Sequence, residues 1–185
     1  ESSNLNELID DLLDSSRLQS GNMRFNFQML RIDSIIRDEV SRAVLNNPGQ
    51  IFRVEIADSL PAINGDARRI AQVIDNLIDN SRKYAPGAVI TIKAYPEDNR
   101  LIMEYSDEGP GIDAKYLPLV FSRFFRVPES SHGVRGSGLG LSICKQIIES
   151  HNGEMSLFST KGQGISFRIT LPRDANLAMK TKGGN

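Results

Sequence analysis

The side chains best spaced to act together lie in residues 72–86, QVIDNLIDNSRKYAP. Asn76, Asn80, Lys83 and Tyr84 recur there at i, i+4, i+7 and i+8. Wound as a helix, at about 100° per residue, they share an arc of about 100°. Val73, Ile74, Leu77 and Ile78 fill the neighbouring arc, which predicts a face turned to a core. One side of this helix therefore packs, and the side next to it offers two amides, a cation and a phenol. Taken alone, such a face serves a solvated surface as well as a site. Two glycine-bearing stretches bear on that choice. Residues 107–112, DEGPGI, combine one fixed acceptor, Asp107, with Gly109 and Gly111, where a ligand can approach backbone closely because no Cβ intrudes. A plain turn has the same composition. Residues 133–141, GVRGSGLGL, open a helix, and Gly136, Gly138 and Gly140 leave amide N–H groups bare at its N-terminus, which suits phosphate. Glycine runs of this kind also occur in ordinary loops.

The elements that must position these groups can be read in order. Residues 4–19 carry Leu5, Leu8, Ile9, Leu12 and Leu13 at 3/4 spacing, with Asp10, Asp11 and Asp14 on the other face. That is an amphipathic helix, stopped by Gly21-Asn22. Its stripe is narrow and regular like a helix-pair seam, so a partner helix in a bundle is expected rather than the domain's own core. Met23, Phe25 and Phe27 alternate with polar residues and predict a short strand. A helix is expected over 32–45, with Ile32, Ile35, Ile36, Val40 and Val44 inside, then a strand over 52–56 and a loop after Pro61. Asp66 is placed to cap the central helix, which Pro86-Gly87 ends. Strands follow over 89–95 and 101–105 around a turn, and a short helix over 114–120 after Asp113. Residues 127–137, VPESSHGVRGS, hold no apolar periodicity and predict a mobile loop of a length that is usually functional. A helix over 139–150, strands over 154–159 and 165–171, and a frayed tail after Pro172 complete the chain.

Composition bounds the reading. At 185 residues the chain is one domain with an appended element. A hydrophobic fraction of 39% with 6% aromatics fits an α/β domain with a core. Lys+Arg 22 against Asp+Glu 23 leaves no overall charge to draw nucleic acid or an anionic membrane. Cys144, the single cysteine, excludes an intramolecular disulfide and fits a reducing compartment. It lies in an apolar helical run, which predicts a small core residue rather than a reactive thiol. No apolar run approaches the roughly 18 residues of a membrane span, and no signal peptide opens the chain. The chain starts without Met, inside a helical pattern, so a piece of a longer protein is expected.

An N-x-x-x-N-x-x-K-Y helix, D-x-G-x-G, FSRFFR at residues 121–126, G-x-G-x-G, and GQG at residues 162–164 follow one another in that order. This succession closely resembles the catalytic, ATP-binding domain of bacterial sensor histidine kinases, whose N, G1, F, G2 and G3 boxes these would be. The resemblance covers roughly residues 25–172, and residues 4–20 resemble the end of the family's second dimerisation helix, with its D-L-L-D-x-S-R-L-x-x-G junction at residues 11–21. It implies the Bergerat ATP-binding fold, an α/β (α+β) two-layer sandwich. In it a mixed, mostly antiparallel sheet packs on three helices, here preceded by one amphipathic helix. The implied division is 1–21 as the end of a dimerisation helix, 22–173 as the catalytic domain and 174–185 as a flexible tail.

The resemblance also implies roles. Asp107 would accept from the adenine N6 amino group, and Tyr84 would pack against the base. Asn80 would give its amide oxygen to Mg²⁺, a hard ion that takes few protein ligands, with Asn76 in support. Lys83 would meet phosphate as a point charge. Arg126 would reach the γ-phosphate and, with Asn80, make up the catalytic pair. Gly109, Gly111, Ile112, Phe124, Leu139 and Leu141 complete the implied ATP-binding set. Gly136, Gly138 and Gly140 would let the 127–137 lid fold over the triphosphate. The implied activity is that of a protein histidine kinase in a two-component system, moving the γ-phosphate of Mg-ATP to a histidine outside this chain. The implied partners are its own dimerisation and phosphoacceptor domain, in a homodimer of the parent protein, and a cognate response regulator, with no nucleic acid. The domain would be cytoplasmic and its parent held in the bacterial cell membrane.

Departures from the family pattern are few. Ile165 follows Gly164 where Thr or Ser is usual, which puts a hydroxyl contact from that turn in doubt. Ser81 and Ser106 replace more usual small or apolar residues, with little effect expected. Neither histidine lies in an H-E/D-x-R-x-P phosphoacceptor context. His132 reads as a solvated loop residue and His151 as a structural one, at a helix C-terminus where positive charge is favourable. Two other readings compete. One is an ATPase of the same wider fold, but those relatives carry a Glu where this chain has Asn76, and a neutral amide cannot be the base that activates water. The other is a nucleotide-binding scaffold without phosphotransfer, against which stands the presence of every box.

Overall fold

The computed structural model describes residues 2–128 and 136–173. Residues 129–135 of the expected lid, His132 among them, and the tail beyond 173 lie outside the described residues. The elements run α1 (Ser2–Gln19), β1 (Gln28–Leu30), α2 (Ile32–Asn46), β2 (Phe52–Ile56), β3 (Ile63–Gly65), α3 (Ala67–Tyr84), β4 (Ile90–Glu97), β5 (Arg100–Asp107), a 3₁₀ turn (Ala114–Leu119), α4 (Gly140–Ser150), β6 (Glu154–Ser159) and β7 (Ile165–Pro172). No helix among the described residues is long and apolar enough to cross a membrane.

The central helix forms as its periodicity dictates. Asp66 caps α3, its carboxylate accepting from the Arg69 N–H at 3.1 Å. The arc of Ile70, Val73, Ile74, Leu77 and Ile78 is buried. It meets a five-stranded sheet of order β2-β4-β5-β7-β6, in which only the β2–β4 pair is parallel. Alternate residues of the sheet, among them Ile92, Met103, Tyr105, Phe167 and Ile169, share one core with α2, α3 and α4. This is the two-layer arrangement expected, three helices on one mixed sheet. Cys144 is buried in that core, and burial pushes its thiol up to about 12, out of the reactive range.

Four local expectations change. The first strand is Gln28–Leu30, not 23–27, and it pairs antiparallel with Ile63–Gly65, where only a loop was expected. Phe25 and Phe27 do alternate, but their rings rest on His151, at centroid distances of 5.6 and 5.0 Å, instead of entering a ladder. The helix after Asp113 is a 3₁₀ turn, capped by the Asp113 carboxylate at 3.1 Å from the Lys115 N–H. Pro118 within it has no N–H with which to continue an α-helix. His151 is buried and neutral rather than a charge at a helix end. Its Nε2 accepts from the Asp66 N–H at 2.9 Å, and its Nδ1 donates to the Ile147 carbonyl at 2.7 Å. Burial holds its pKa below the ordinary histidine value. The imidazole thus joins the end of α4 to the start of α3.

Helix α1 turns its polar face to the domain. Asp14 accepts from Arg69 at 2.7 Å and from Gln72 at 3.0 Å. Arg123 donates to the Gln19 side chain at 2.6 Å, and Ser137 to Asp11 at 2.9 Å. Ile9, Leu12 and Leu13 are left 44–47% exposed. These three described members of the stripe expected to seek a partner helix thus point away from the domain.

Candidate functional site

The polar arc of α3 forms one wall of a pocket closed by the end of β5, the 110–112 turn, residues 120–127 and residues 136–141. Asn76, Asn80, Lys83, Tyr84, Asp107, Gly111, Ile112, Arg126, Gly136, Gly138, Gly140 and Leu141 all line it. Residues separated by up to 156 positions in the chain, from Asp11 to Phe167, therefore converge on one cavity.

Asp107 lies at one end. It is the last residue of β5 and is buried. Its Oδ1 accepts from the Gly109 N–H at 3.0 Å, and its Oδ2 from the Ser81 hydroxyl at 2.6 Å. Each oxygen keeps acceptor capacity for a ligand. Beyond Ser81 and Gly109, which hold the carboxylate, the pocket takes its apolar lining from Ala85, Ile112, Val120, Leu141, Ile165 and Phe167. An acceptor set in an apolar slot suits a flat heteroaromatic base with an exocyclic amino group.

The other end is polar. Asn76, a pocket residue, has a buried amide Nδ2 that meets no oxygen acceptor among the described residues, with the weakly accepting Cys144 thiol beside it. A buried donor left unpaired costs about 1–3 kcal/mol, and an oxygen-rich ligand would satisfy it. Asn80 stands one turn further along α3. Lys83 does not project alone: its Nζ lies 2.5 Å from the Asp79 carboxylate, itself a pocket residue that sequence reasoning missed. Arg126 is half-buried in the opposite wall.

Three residues expected in the ATP-binding set do not line the cavity. Leu139 is wholly buried, and its carbonyl accepts from Ser142 at 2.7 Å. Gly109 serves Asp107 through its amide and packs against Ala85. Phe124 points its ring outward at 64% exposure, while its N–H donates to the Gly138 carbonyl at 2.9 Å. A Cβ on Gly138 would come within 2.8–3.0 Å of the Phe124 and Phe125 backbone, and Gly138 adopts a φ of +70°. The 121–126 segment and the glycine-rich segment are thus joined backbone to backbone. Gly111 is comparable: at φ +67° it sits directly on the Thr160 carbonyl, where a side chain would collide.

Other pocket residues escaped the sequence reading. Ile165 and Phe167 carry a signal, since i and i+2 of one strand share a face. Ile165, whose missing hydroxyl stood as a doubt, supplies apolar floor instead. Ser159 ties the two turns together, donating to the Gly164 carbonyl at 2.7 Å and accepting from the Ile112 N–H at 2.8 Å. Asp11 from α1 had no such signal.

The fold and sequence have relatives among known proteins. Residues 65–175 match the family described as histidine kinase-, DNA gyrase B-, and HSP90-like ATPase. The chain is 32% identical over 169 residues to the sensor protein KdpD of Clostridium acetobutylicum, an overlap of 90% of this chain and 19% of that protein. It is 31% identical over 176 residues to the sensor protein kinase WalK of Staphylococcus aureus, an overlap of 93% of this chain and 29% of that one. The chain therefore spans less than a third of the length of these relatives. The mycobacterial sensor histidine kinase MprB superposes with a TM-score of 0.69 at 27% identity, over 80% of this chain and 97% of that structure. Full-length ShkA in complex with AMPPNP shares the fold, with a TM-score of 0.79 at 24% identity over 93% of this chain and 36% of that one. From pocket, fold and relatives together, the chain belongs to the histidine kinase-, DNA gyrase B- and HSP90-like ATPase family, alongside the catalytic domains of sensor histidine kinases.

Proposed function

We propose that this domain binds Mg-ATP and donates the γ-phosphate to a histidine of a dimerisation domain outside the chain, within a sensor kinase that signals to a response regulator. The observation that carries the reading is the polarity of one pocket: a doubly anchored carboxylate in an apolar slot at one end, and an Asn76 amide without an oxygen acceptor among the described residues, beside Asn80 and the 136–140 glycines, at the other. Asp107 reads the adenine amino group and Tyr84 covers the base. Asn76 and the bare amides of the glycine segment take phosphate oxygens. Asn80 would offer its amide oxygen to Mg²⁺. Among the described residues no cluster of His, Cys, Asp and Glu could hold a metal by itself. The ion's chemistry here is neutralisation of phosphate charge. Arg126 stabilises charge on the γ-phosphoryl group, and Lys83 adds to it if nucleotide draws it from Asp79.

Hydrolysis is the weaker reading, because the amide of Asn76 cannot deprotonate water. Self-phosphorylation of the chain is disfavoured too. Both ring nitrogens of His151 are engaged within the fold, and an acceptor must stand about 3–3.5 Å from the phosphorus, in line. The parent is proposed to sit in the cell membrane with this domain on its cytoplasmic side.

Incubation with γ-labelled ATP should leave the chain unlabelled. Adding a separately made dimerisation hairpin that carries the phosphoacceptor histidine should produce acid-labile label on that hairpin. Acid-labile label on His132 or His151, or phosphate released to water without any transfer, would overturn the reading.

A further inference from the structure

Ser81 stands on α3, one residue after Asn80 and outside every expected role. It is buried, at 3% exposure, and so are its two neighbours Tyr105 (1%) and Asp107 (8%). The Ser81 Oγ lies 2.6 Å from Asp107 Oδ2 and 2.8 Å from the Tyr105 hydroxyl. The Tyr105 hydroxyl also lies 3.0 Å from the Leu77 carbonyl. The proton count sets the direction of this chain. An ionised carboxylate has nothing to donate, and a serine has one proton, so Ser81 donates to Asp107. Its oxygen is then an acceptor for Tyr105, whose phenol is kept protonated by burial and shares its one proton between Ser81 and the Leu77 carbonyl.

We propose that Ser81 is a positioning residue that fixes Asp107 in the orientation that reads a 6-amino purine, and that Tyr105 fixes Ser81 in turn. This rests on the reading of Asp107 given above. With Oδ2 held by Ser81 and Oδ1 by the Gly109 amide, the carboxylate plane cannot turn. Its remaining lone pairs then face the ligand as acceptors only. They match the N6 amino donor of ATP and meet the O6 acceptor of GTP with no proton between. A site built to pair one hydrogen-bonding pattern discriminates strongly only while its own groups are held in place. Loosened, the carboxylate can turn aside or admit water, and the penalty against the 6-oxo base falls. A merely structural tie between β5 and α3 would affect stability and leave base preference alone.

The test is titration calorimetry with Mg-ATP and Mg-GTP on the wild-type chain and on Ser81→Ala, Ser81→Thr, Tyr105→Phe and Asp107→Asn, with melting temperatures alongside. Ser81→Ala leaves Tyr105 its Leu77 partner, so the fold keeps that tie. It should weaken Mg-ATP about tenfold, the scale of one oriented charge-assisted hydrogen bond, and narrow the ATP/GTP ratio by a comparable factor. Ser81→Thr should keep the ratio even if the added methyl lowers the melting temperature. Tyr105→Phe should move the ratio in the same direction as Ser81→Ala, by less. If Ser81→Ala keeps the ratio while Asp107→Asn abolishes it, Ser81 is structural only and the proposal fails with the Asp107 reading intact. If Asp107→Asn also changes neither affinity nor ratio, the Asp107 reading fails and takes the proposal with it.

Discussion

Asp14 of α1 and Arg69 of α3 meet at 2.7 Å, with side chains only 16% and 10% exposed. Gln72 closes the group, donating to Asp14 and accepting from Arg69. One enclosed contact between α1 and the domain is therefore ionic, while Ile9, Leu12 and Leu13 of α1 look outward. A pair this enclosed is worth more than a solvated surface bridge, because removing one partner strands the other. Arg69→Ala should cost about 1–2 kcal/mol in urea unfolding and speed hydrogen exchange in α1 ahead of the sheet. Additive losses in a double-mutant cycle with Asp14→Ala would show that the pair contributes nothing.

Asn80 projects into the polar end of the pocket one turn after Asn76. Asn80→Ala removes an amide oxygen without touching the buried arc of α3, so the melting temperature should hold. Affinity for ATP with Mg²⁺ present should fall by about tenfold or more, and affinity in EDTA should change little. An equal loss in both conditions would remove Asn80 from the metal role.

Gly138→Ala would force a left-handed φ on alanine, at about 1–2 kcal/mol, and drive its Cβ into the Phe124 backbone. The break falls at the seam between the 121–126 and 136–141 segments rather than in the core. ATP affinity should drop while circular dichroism of the core stays native. Unchanged affinity would mean that the seam does not hold the pocket closed.

His151 couples stability to pH. Its folded pKa lies below the unfolded value because burial penalises the cation. The unfolded chain therefore binds the proton first, and stability rises with pH across the interval between the two values. The contribution is complete above about pH 6.5, the ordinary histidine value, and is lost as pH falls from there through the lower folded value. Melting temperature should decline below that point. In His151→Phe the decline should be shallower, from a lower plateau, because the Asp66 N–H loses its acceptor. A wild-type melting temperature flat from pH 7.5 to 5 would contradict the buried, neutral ring.

Local periodicity determined much of this protein in one dimension. A helix repeats every 3.6 residues, so Asn76, Asn80, Lys83 and Tyr84 share a face in any fold that keeps α3 helical. Alternation likewise located most of the sheet, and Asp66 marked its own cap. The three-residue strands Gln28–Leu30 and Ile63–Gly65 escaped, because so short a strand carries no period of its own and exists only through its pairing partner. The docking face of α1 escaped for a related reason. Hydrophobic patterning states which face avoids water, but Arg69 and Arg123, which claim Asp14 and Gln19 on the polar face, come from distant parts of the chain. Ser81 shows the limit most plainly. In sequence it is a small residue in place of another. Only the packing of β5 against α3 brings Tyr105 and Asp107 within hydrogen-bond reach of it, and contacts at 24 and 26 residues' separation leave no trace in local spacing.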